Sequence, residues 1–488
     1  MDGQRDSVEF AIIGGGPAGV AAAYDLVRRG RRPVLFEQDD QVGGLSRTVN
    51  HHGYRFDIGG HRFFTKSREV ESLWHEVLGE DFLRRPRLSR IFYRGRLFHY
   101  PLKPMNALLG LGPLKSLRVL LSFLRRRVFP TKPETSFEDW VANRFGYVLY
   151  SIFFKTYTEK VWGISCRELS ADWAAQRIRN LDLGQALLKA LGIGRARRDV
   201  ASLIEEFDYP KFGPGQMYET MAEKAASRGA DVRLNHRVTK VGHDRGRITS
   251  VETATPRGSS KVSVERLIST MPLSELVLAL APPVPDEVLD AAKGLRYRSI
   301  LTVNFVVDLP ELLPDTWVYL HAPEVRAGRL QLYKNWSPFM VEDPSKSTLG
   351  LEYFCFEGDE FWTAGEPALV EIGKVDLRTL RLVDLSLVRN AFVVRYPKAY
   401  PMYDTGYSQR LHTIRTYLEG FPNLVCAGRY GQFRYNNMDH SIMSSLLGVR
   451  RLLGEGVDPW AVNVEAEYHE ETSSRPAEDT APLPSVPT

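Results

Sequence analysis

The sequence predicts an α/β fold that combines a Rossmann-like nucleotide-binding unit with a helical insert and a separate antiparallel sheet. Three patterns lead to this prediction. A glycine-rich loop joins an apolar strand to a helix within residues 8–29, leucine-rich segments recur through 105–191, and strand candidates follow one another between 296 and 419. The 488 residues are 43% hydrophobic and 25% charged, values that suit a large globular core.

The nucleotide-binding unit begins with Val8–Ile13, a short apolar run typical of a buried strand. The segment 14–19 follows at once and fits G-x-G-x-x-G, and the Ala-rich segment 20–29 is predicted to be helical. Pro33–Phe36 is predicted as the second strand, with Glu37 at its end. This order of strand, glycine loop, helix, strand and acid indicates a dinucleotide-binding βαβ unit.

Each part of this unit has a physical task. Gly14 allows the tight turn, Gly16 lets the backbone approach a pyrophosphate, and Gly19 lets the helix pack against the strand. The helix N-terminus offers free N–H groups to the phosphates. Glu37 follows Gly19 by 18 residues, where an acid can accept hydrogen bonds from a ribose hydroxyl.

Composition excludes several other classes of protein. A net charge of +5 over this length is too small to indicate nucleic-acid binding. Cys166, Cys355 and Cys426 are too few and too far apart for a disulfide framework, and we expect no metal site. Because we find no run of 18 apolar residues and no signal peptide, we predict a cytoplasmic protein without a membrane span.

A second glycine pair, Gly43-Gly44, follows Glu37 and precedes Leu45, Ser46 and Arg47. A glycine pair followed by a basic residue resembles the extended fingerprint of FAD enzymes of the glutathione-reductase type, in particular the amine-oxidase-like branch. The resemblance implies FAD as the cofactor, with the second loop along its flavin side. A simple glycine turn is the alternative.

FAD domains of this branch are interrupted in sequence, and the order of the predicted elements agrees with that. The predicted units are an FAD-binding domain from residues 1–104, 208–295 and 420–460, a helical insert over 105–207, a substrate-domain sheet over 296–419 and a disordered tail over 461–488. Strand candidates of the substrate-domain sheet are Ser299–Val307, Gln331–Asn335, Leu349–Cys355 and Ala391–Val394, and Ile91–Leu97 is predicted to form a hairpin.

One segment of the predicted insert, Leu108–Val128, is apolar with a basic end. Such a segment is either a helix at a membrane surface or a helix packed within the insert. Pro113 interrupts it, and we therefore favour packing within the insert.

Several separated stretches of the chain together resemble the UDP-galactopyranose mutases. Lys155–Gly163 looks like the family's Y-T-E-K-x-W-G segment, and Phe56–His61 looks like its F-D-x-G-G-H loop. Residues 428–441 look like its C-terminal flavin and diphosphate segment, and Arg90–Pro101 and Tyr297–Ser299 also match. Five matches in the same order are specific for the superfamily.

The resemblance implies an enzyme that interconverts the pyranose and furanose forms of a nucleoside-diphosphate sugar. In the family, N5 of reduced FAD attacks the anomeric carbon and forms a flavin–sugar adduct, the sugar ring opens and recloses in the other size, and the diphosphate returns. The implied cofactor is therefore reduced FAD, with NAD(P)H as a candidate external reductant.

The residues matched to the family motifs form the candidate site. Catalytic roles are implied for His61, Trp162, Arg429 and Asn437. Contacts to FAD are implied for Gly14, Gly16, Pro17, Ala18, Gly19, Glu37, Gly44, Leu45, Ser46, Gly60, His61, Val238, Gly428, Arg429, Met438, Asp439 and Ser441. Contacts to the substrate are implied for Tyr157, Trp162, Arg177, Tyr400, Arg429 and Tyr435.

The chemistry of these side chains agrees with a sugar diphosphate. An arginine just past a strand end, such as Arg429, can grip phosphate with two hydrogen bonds. Tyrosine hydroxyls donate to phosphate oxygens without adding charge. The chain departs from the family after Gly163, because Arg177 has no secure register and 184–214 does not resemble the family's substrate loop. The residues that would contact the base are therefore unassigned.

Three functions follow from these patterns. The first is a nucleotide-sugar mutase. The second is an FAD-dependent oxidase or desaturase that resembles protoporphyrinogen oxidase and acts on a small organic substrate. The third, a flavin-binding protein without catalytic activity, is disfavoured because the matched polar residues are expected to face a cavity. In each case we expect a small-molecule partner and no nucleic acid, with a dimer as one option.

Overall fold

The computed structural model describes residues 7–100, 110–171, 174 and 206–463. Its strands are β1 (Ser7–Ile13), β2 (Val34–Phe36), β3 (Thr48–His51), β4 (Tyr54–Asp57), β5 (Phe82–Pro86), β6 (Ser89–Tyr93), β7 (Arg96–His99), β8 (Glu206–Pro210), β9 (Asp231–Arg233), β10 (Arg237–Asp244), β11 (Arg247–Thr255), β12 (Gly258–Ser269), β13 (Leu280–Ala281), β14 (Tyr297–Val307), β15 (Trp317–Leu320), β16 (Arg329–Leu332), β17 (Ser347–Cys355), β18 (Val388–Pro401) and β19 (Leu424–Cys426). Its α-helices are α1 (Pro17–Arg28), α2 (Arg68–Leu78), α3 (Pro113–Val128), α4 (Phe137–Phe145), α5 (Tyr147–Tyr150), α6 (Thr156–Trp162), α7 (Gly215–Ser227), α8 (Leu273–Ala279), α9 (Asp286–Lys293), α10 (Tyr333–Trp336), α11 (Glu360–Thr363), α12 (Glu366–Leu380), α13 (Tyr407–Leu418), α14 (Gly428–Gly431) and α15 (Met438–Leu452).

The first sheet contains the nucleotide-binding unit. β1 lies between β2 and β12 in parallel, with Ala11 opposite both Val34 and Leu267. β9 pairs with β2 and β19 pairs with β12, again in parallel. β10, β11 and β12 form an antiparallel meander, and β13 pairs with β10. The carboxyl ends of the parallel strands meet at one edge, which is where this class of sheet binds its ligands.

Both faces of this sheet are covered, which explains the continuous apolar character of β1. Phe10 and Ile12 pack into one core with α1, α7 and α15, while Ala11 and Ile13 pack into the other core with α8, α9 and α13. Helices therefore enclose the parallel strands on two sides, and the predicted α/β class is confirmed.

The second sheet has seven strands in the order β18-β14-β17-β16-β15-β6-β7. Neighbouring strands are antiparallel except for β15 and β6, which run in parallel. Strand β14, which lies between β18 and β17, is buried along nearly its whole length. The predicted antiparallel sheet of the second domain is thus present, with one parallel pair.

Two predicted assignments differ from the structure. The hairpin at 91–97 forms, with Arg94 and Gly95 at positive φ in its turn, but β6 pairs with β15 and so belongs to the second sheet, outside the domain predicted over 1–104. A hairpin pattern is local and does not tell which sheet the hairpin joins. The strand predicted over Gln331–Asn335 is β16, which ends at Leu332 and continues into helix α10.

The helical insert contains α3 to α6 and a π-helical turn over Ser151–Lys155. A capping box starts α4, because Oγ of Ser136 accepts the N–H of Asp139 at 3.2 Å and the Asp139 carboxylate accepts the N–H of Ser136. Arg298 of β14 ties the end of the insert to the second sheet by donating to the carbonyls of Val161 (3.1 Å) and Phe354 (2.7 Å). Residues 105–109, 172–173 and 175–205 of the predicted insert and 464–488 of the predicted tail lie outside the described residues.

Within the described ranges, no helix is both long and apolar enough to cross a bilayer.

One buried side chain connects three backbone groups in the first sheet. Asn423 accepts the N–H of Ile248 at 3.0 Å and donates to the carbonyls of Ile248 and Glu265 at 2.8 and 2.7 Å. Its side chain is buried just before β19, so it fixes the edge strand against the meander.

We expect Asn423→Ala to lower the free energy of unfolding by roughly 1–3 kcal/mol, because it leaves buried backbone groups without partners. Chemical denaturation with saturating FAD measures this change. Asn390→Ala, at an exposed position of β18, is the matched control and should stay within about 0.5 kcal/mol of the wild type. Equal stability of the two variants would contradict the role of Asn423.

Candidate active site

A cavity of about 1270 Å³ extends from the carboxyl edge of the first sheet over one face of the second sheet. Ile13, Phe36 and Thr270, at the ends of β1, β2 and β12, line one end, and Tyr400 of β18 lines the other. Tyr157 of the insert closes one side. All three parts of the fold therefore contribute walls to one cavity of the size that a dinucleotide and a second ligand require.

The first glycine loop forms one wall of this cavity. Gly14 has a φ of +97°, and a Cβ on Gly19 would lie 1.8 Å from the carbonyl oxygen of Gly14, so any side chain at 19 would push α1 off the loop. Gly16 is the N-cap of α1 and has no side chain to pair with the first N–H groups of that helix. Gly16, Pro17 and Ala18 line the cavity, so the helix N-terminus faces it.

The second glycine loop packs directly on the first. The N–H of Gly43 donates to the carbonyl of Gly15 at 2.8 Å. A Cβ on Gly44, whose φ is +54°, would lie 3.1 Å from the Cα of Gly16. Glu37 holds the first glycine loop and the segment that leads into the second one. Its carboxylate accepts the N–H groups of Gly15 (2.5 Å) and Asp39 (2.9 Å). Burial raises the pKa of Glu37.

The C-terminal segment brings a second helix N-terminus to the cavity. Asn437 is the N-cap of α15, and its N–H donates to Nδ1 of His440 at 3.2 Å in a reciprocal capping box. Asn437, Met438, Asp439 and Ser441 line the cavity. Oδ1 of Asp439 lies 3.7 Å from Nδ1 of His440, the atom that accepts the capping hydrogen bond.

These features fit FAD. Two glycine loops and two helix N-termini line one continuous cavity, and the close approach of Gly44 to Gly16 leaves backbone rather than side chains where a diphosphate would lie. Glu37 and Val238 line the end near β2 and β10, and Gly60 and His61 line the part near the second sheet. When bound, FAD would supply the redox and nucleophilic chemistry of its flavin ring.

Arg429 lies in the middle of the cavity wall, at the start of α14. Its Nε donates to the carbonyl of Ala399 (2.9 Å) and its Nη1 to that of Asn436 (3.1 Å). Its guanidinium lies 4.0 Å from the ring centre of Tyr435 and 5.0 Å from that of Tyr400. Nη2 is buried and has no hydrogen-bond partner within the described residues, so Arg429 is held firmly and still has a donor for a ligand.

Arg329 is a second cation in the cavity, and the sequence motifs did not identify it. Its Nη2 lies 2.7 Å from Oε2 of Glu352 and donates to the hydroxyl of Tyr400 at 2.9 Å. Gln331 donates to the other carboxylate oxygen of Glu352 at 2.6 Å. Burial alone would lower the pKa of Arg329, but the charge of Glu352 holds that pKa well above its usual value.

A weak sequence signal for this cluster exists. Arg329 and Gln331 alternate with apolar residues in β16, and Glu352 interrupts the apolar run of β17. Alternation puts the polar residues of each strand on one face. Such a pattern is also typical of an exposed sheet face, and only the fold shows that this face lines a cavity.

His61 stays neutral in this environment. Burial, with the positive charges of Arg429 and Arg329 nearby, lowers its pKa to about 3. Its ring lines the cavity, and Nδ1 is buried without a hydrogen-bond partner among the described residues.

Aromatic side chains form the wall beyond the arginines. Tyr157 stacks on His321, with ring centres 4.7 Å apart, and meets Tyr319 edge to face. Burial, together with the charge of Lys160, lowers the pKa of His321 to about 3. The imidazole of His321, which the motifs also missed, is thus a second neutral histidine in the cavity wall.

Most residues of the candidate site converge on this cavity. Those in its wall are Gly14, Gly16, Pro17, Ala18, Glu37, Gly44, Leu45, Ser46, Gly60, His61, Tyr157, Val238, Tyr400, Gly428, Arg429, Tyr435, Asn437, Met438, Asp439 and Ser441. Gly19 lies behind the loop. Trp162 is 2% exposed and packs edge to face against Tyr400 at 6.3 Å, so it supports the wall from behind. Arg177 lies outside the described residues.

Asp57 supports the loop that carries His61. The hydroxyls of Tyr209 and Thr48 donate to its carboxylate, the latter at 2.9 Å, and Tyr333 donates to its carbonyl at 3.1 Å. Its complete burial raises its pKa to about 7. Asp57 thus ties the end of β4 to β8 directly before the turn into the cavity.

A comparison with protein-family models matches residues 17–453 to the family "Flavin containing amine oxidoreductase". The chain belongs to this family. An L-amino-acid oxidase of Sistrurus catenatus edwardsii is 25% identical over 314 residues, which span 59% of this chain and 55% of that protein. Protoporphyrinogen oxidase 2 of Arabidopsis thaliana is 39% identical over 67 residues, only 13% of its length. The curated relatives thus match over about half of their length or less.

Solved structures share this fold over most of the chain. Reduced UDP-galactopyranose mutase superposes with a TM-score of 0.82 at 24% identity, over 93% of this chain and 97% of that one. A structure assigned as a protoporphyrinogen oxidase from Exiguobacterium sp. 255-15 has a TM-score of 0.66 at 17% identity, over 90% and 97% of the two chains. The predicted membership of this FAD superfamily is confirmed, and the likeness to the mutase is one of fold.

In this flavin amine oxidoreductase we expect Asp57→Asn to change how stability depends on pH. The unfolded carboxyl titrates near its usual value of about 4, whereas the folded one titrates near 7, so folding takes up a proton between these values. The wild type therefore loses stability as the pH rises through this window, and the variant does not.

Chemical denaturation at pH 5 and pH 8 measures this difference. The stability of the wild type relative to Asp57→Asn should fall by roughly 2.5 kcal/mol between the two pH values. Asp244→Asn, at an exposed position of β10, should show no such change. A difference from the wild type that is equal at both pH values would contradict a raised pKa for Asp57.

Proposed function

We propose that this flavoenzyme is a nucleotide-sugar mutase that interconverts the pyranose and furanose forms of a nucleoside-diphosphate sugar, with FAD in its reduced form. The observation that carries the proposal is the pair Arg329 and Arg429, which flank Tyr400 in the same cavity as the two glycine loops. The fold likeness to reduced UDP-galactopyranose mutase supports it.

The charges of the cavity favour an anionic substrate. Glu352 neutralises Arg329, but the donor Nη2 of Arg429 has no partner among the described residues and is shielded from water. A buried charged donor without a partner is costly, and a phosphate oxygen would satisfy it. A diphosphate between the two guanidinium groups would receive hydrogen bonds from both. An apolar substrate would leave Nη2 of Arg429 without an acceptor.

The tyrosines extend this anion site without adding charge. The hydroxyl of Tyr400 accepts a hydrogen bond from Arg329, so its own proton points to another acceptor. Tyr435 lies with its ring stacked near that of Tyr400, 5.8 Å between centres. Together these groups would hold the diphosphate in place while its bond to the sugar is broken and formed again, which keeps the leaving group close to the anomeric carbon.

The neutral state of His61 suits the flavin end of the site. When bound, reduced FAD would supply the nucleophile. His61, Asn437 and the start of α15 line the cavity, and Nδ1 of His61 has no hydrogen-bond partner among the described residues. These groups would orient the flavin ring and exclude water without competing with it for the sugar. A nicotinamide dinucleotide is the external reductant that we propose for the resting enzyme.

A second candidate function is substrate oxidation. The family includes oxidoreductases, and the aromatic wall formed by Tyr157, Tyr319 and His321 would accept an apolar or aromatic group. The oxidase would need oxygen and no nucleoside diphosphate, so the two functions differ in their measured products.

The decisive assay incubates dithionite-reduced enzyme, without oxygen, with UDP-galactose and a panel of other nucleotide sugars. We expect conversion of at least one of them to a furanose product, detected by anion-exchange chromatography and NMR, and no conversion by the oxidised enzyme. Absence of turnover with every nucleotide sugar, together with oxygen consumption on an amine or polycyclic substrate, would replace the mutase proposal by the oxidase.

We expect Arg429→Ala and Arg329→Ala each to weaken binding of the nucleoside diphosphate by roughly 30-fold or more, because each removes a desolvated charged donor. FAD content should stay at the wild-type level in Arg429→Ala. Arg329→Ala also leaves the buried Glu352 without its cation, so Arg329→Lys, which keeps that charge, is measured beside it. Titration calorimetry with UDP and the flavin absorbance measure the two effects. Arg389→Ala, at an exposed position of β18, is the control. Loss of FAD from Arg429→Ala would show that this arginine holds the cofactor instead.

A further inference from the structure

Helix α3 carries an unusual concentration of exposed apolar side chains. Of the thirteen large apolar residues that are exposed among those described, seven lie between 114 and 129. They are Leu114, Leu117, Leu120, Leu121, Leu124, Val128 and Phe129, with exposures from 38% to 79%. The sequence interpretation favoured a helix packed within the insert, and the structure shows that this holds for one face only.

The exposed residues form one continuous stripe. At about 100° per residue, Leu114, Leu117, Leu120, Leu121, Leu124 and Val128 cover an arc of roughly 120° of the helix surface. Val119 and Phe123 lie outside this arc and are buried in the core of the insert. The backbone of α3 also lies close to the next helices, since a Cβ on Gly146 would be 2.6 Å from the amide nitrogen of Phe123. The helix is therefore firmly seated with its leucine stripe outward.

The charges of the helix have a single sign. Lys115, Arg118, Arg125, Arg126 and Arg127 occur within Pro113–Val128, and this segment contains no acidic residue. On the same helical projection Arg118 and Arg125 border one side of the leucine stripe and Arg127 borders the other. A stripe of leucine between arginines complements a surface with an apolar interior and an anionic boundary.

We propose that the leucine stripe of α3 docks on the surface of an anionic lipid bilayer. The aliphatic side chains would enter the boundary of the acyl chains, and the bordering arginines would contact the lipid phosphates. A second copy of this chain fits the same face poorly, because a two-fold contact would place five cations against five cations. The association would be peripheral, and it would place the helical insert, which supplies Tyr157 to the cavity, on the membrane side of the enzyme.

The test uses the full-length FAD-loaded protein and vesicle flotation. We expect the wild type to float with vesicles of phosphatidylcholine and phosphatidylglycerol, and to bind much more weakly to pure phosphatidylcholine or at high salt. Leu117→Glu/Leu121→Glu should reduce binding to the anionic vesicles at least tenfold, because two leucines lose their contact with lipid. Val375→Glu, at an exposed apolar position of α12, should bind like the wild type.

A second variant keeps the test independent of the leucines. Arg118→Gln/Arg125→Gln should weaken binding to anionic vesicles and leave binding to neutral vesicles unchanged. FAD content and circular dichroism verify that each variant is folded. Failure of the wild type to bind anionic vesicles would overturn the proposal. So would a Leu117→Glu/Leu121→Glu variant that binds normally, or one whose only effect is to change the oligomeric state in solution, since a second copy would then cover the stripe.

Discussion

Arg329 brings a positive charge into the cavity wall with its side chain only 17% exposed, and residues of the neighbouring strands compensate that charge. Arg329 and Glu352 stand opposite each other in the register of β16 and β17, so the strand pairing itself forms the ion pair. Gln331 holds the second carboxylate oxygen, and Tyr400 reaches across from β18. Loss of one partner of a buried pair leaves a charge without compensation. The ion pair therefore depends on the register in which β16 and β17 pair.

Sequence patterns predicted correctly those parts of the fold that residues close together in the chain determine. The G-x-G-x-x-G spacing determines a turn, a helix start and a close approach within six residues, so the loop at Gly14–Gly19 could be predicted in detail. Arg329 and Glu352 are neighbours only because two strands pair across an intervening helix and loop. A single arginine in an alternating strand has no local feature that marks it as buried, and the cluster became visible only with the sheet.

Motif matches indicate which residues recur together, and they do not tell which of them face the ligand. In the segment Lys155–Gly163 only part of the motif reaches the cavity. Tyr157 lines it, Trp162 packs behind Tyr400, and Lys160 donates to the carbonyls of Leu320 and Ala322 and so ties α6 to the end of β15. Helix α3 shows the same limit, because its apolar residues occur on two sides, the leucine stripe and the side of Val119 and Phe123. Only packing decides which side is covered.

The surroundings of four ionisable groups in the cavity wall shift their pKa values away from the physiological range. The pKa values of His61 and His321 fall to about 3, that of Tyr400 rises to about 12, and that of Arg329 lies above its usual value. None of these four groups changes its charge between pH 5 and 9. Anion binding there would rest on fixed charges and neutral donors, and Asp57, with a pKa of about 7, would couple pH to the loop rather than to the ligand. Burial lowers the pKa of Lys160, next to His321, to about 8. A pH dependence of binding would therefore arise from the substrate, from the support of that loop or from Lys160.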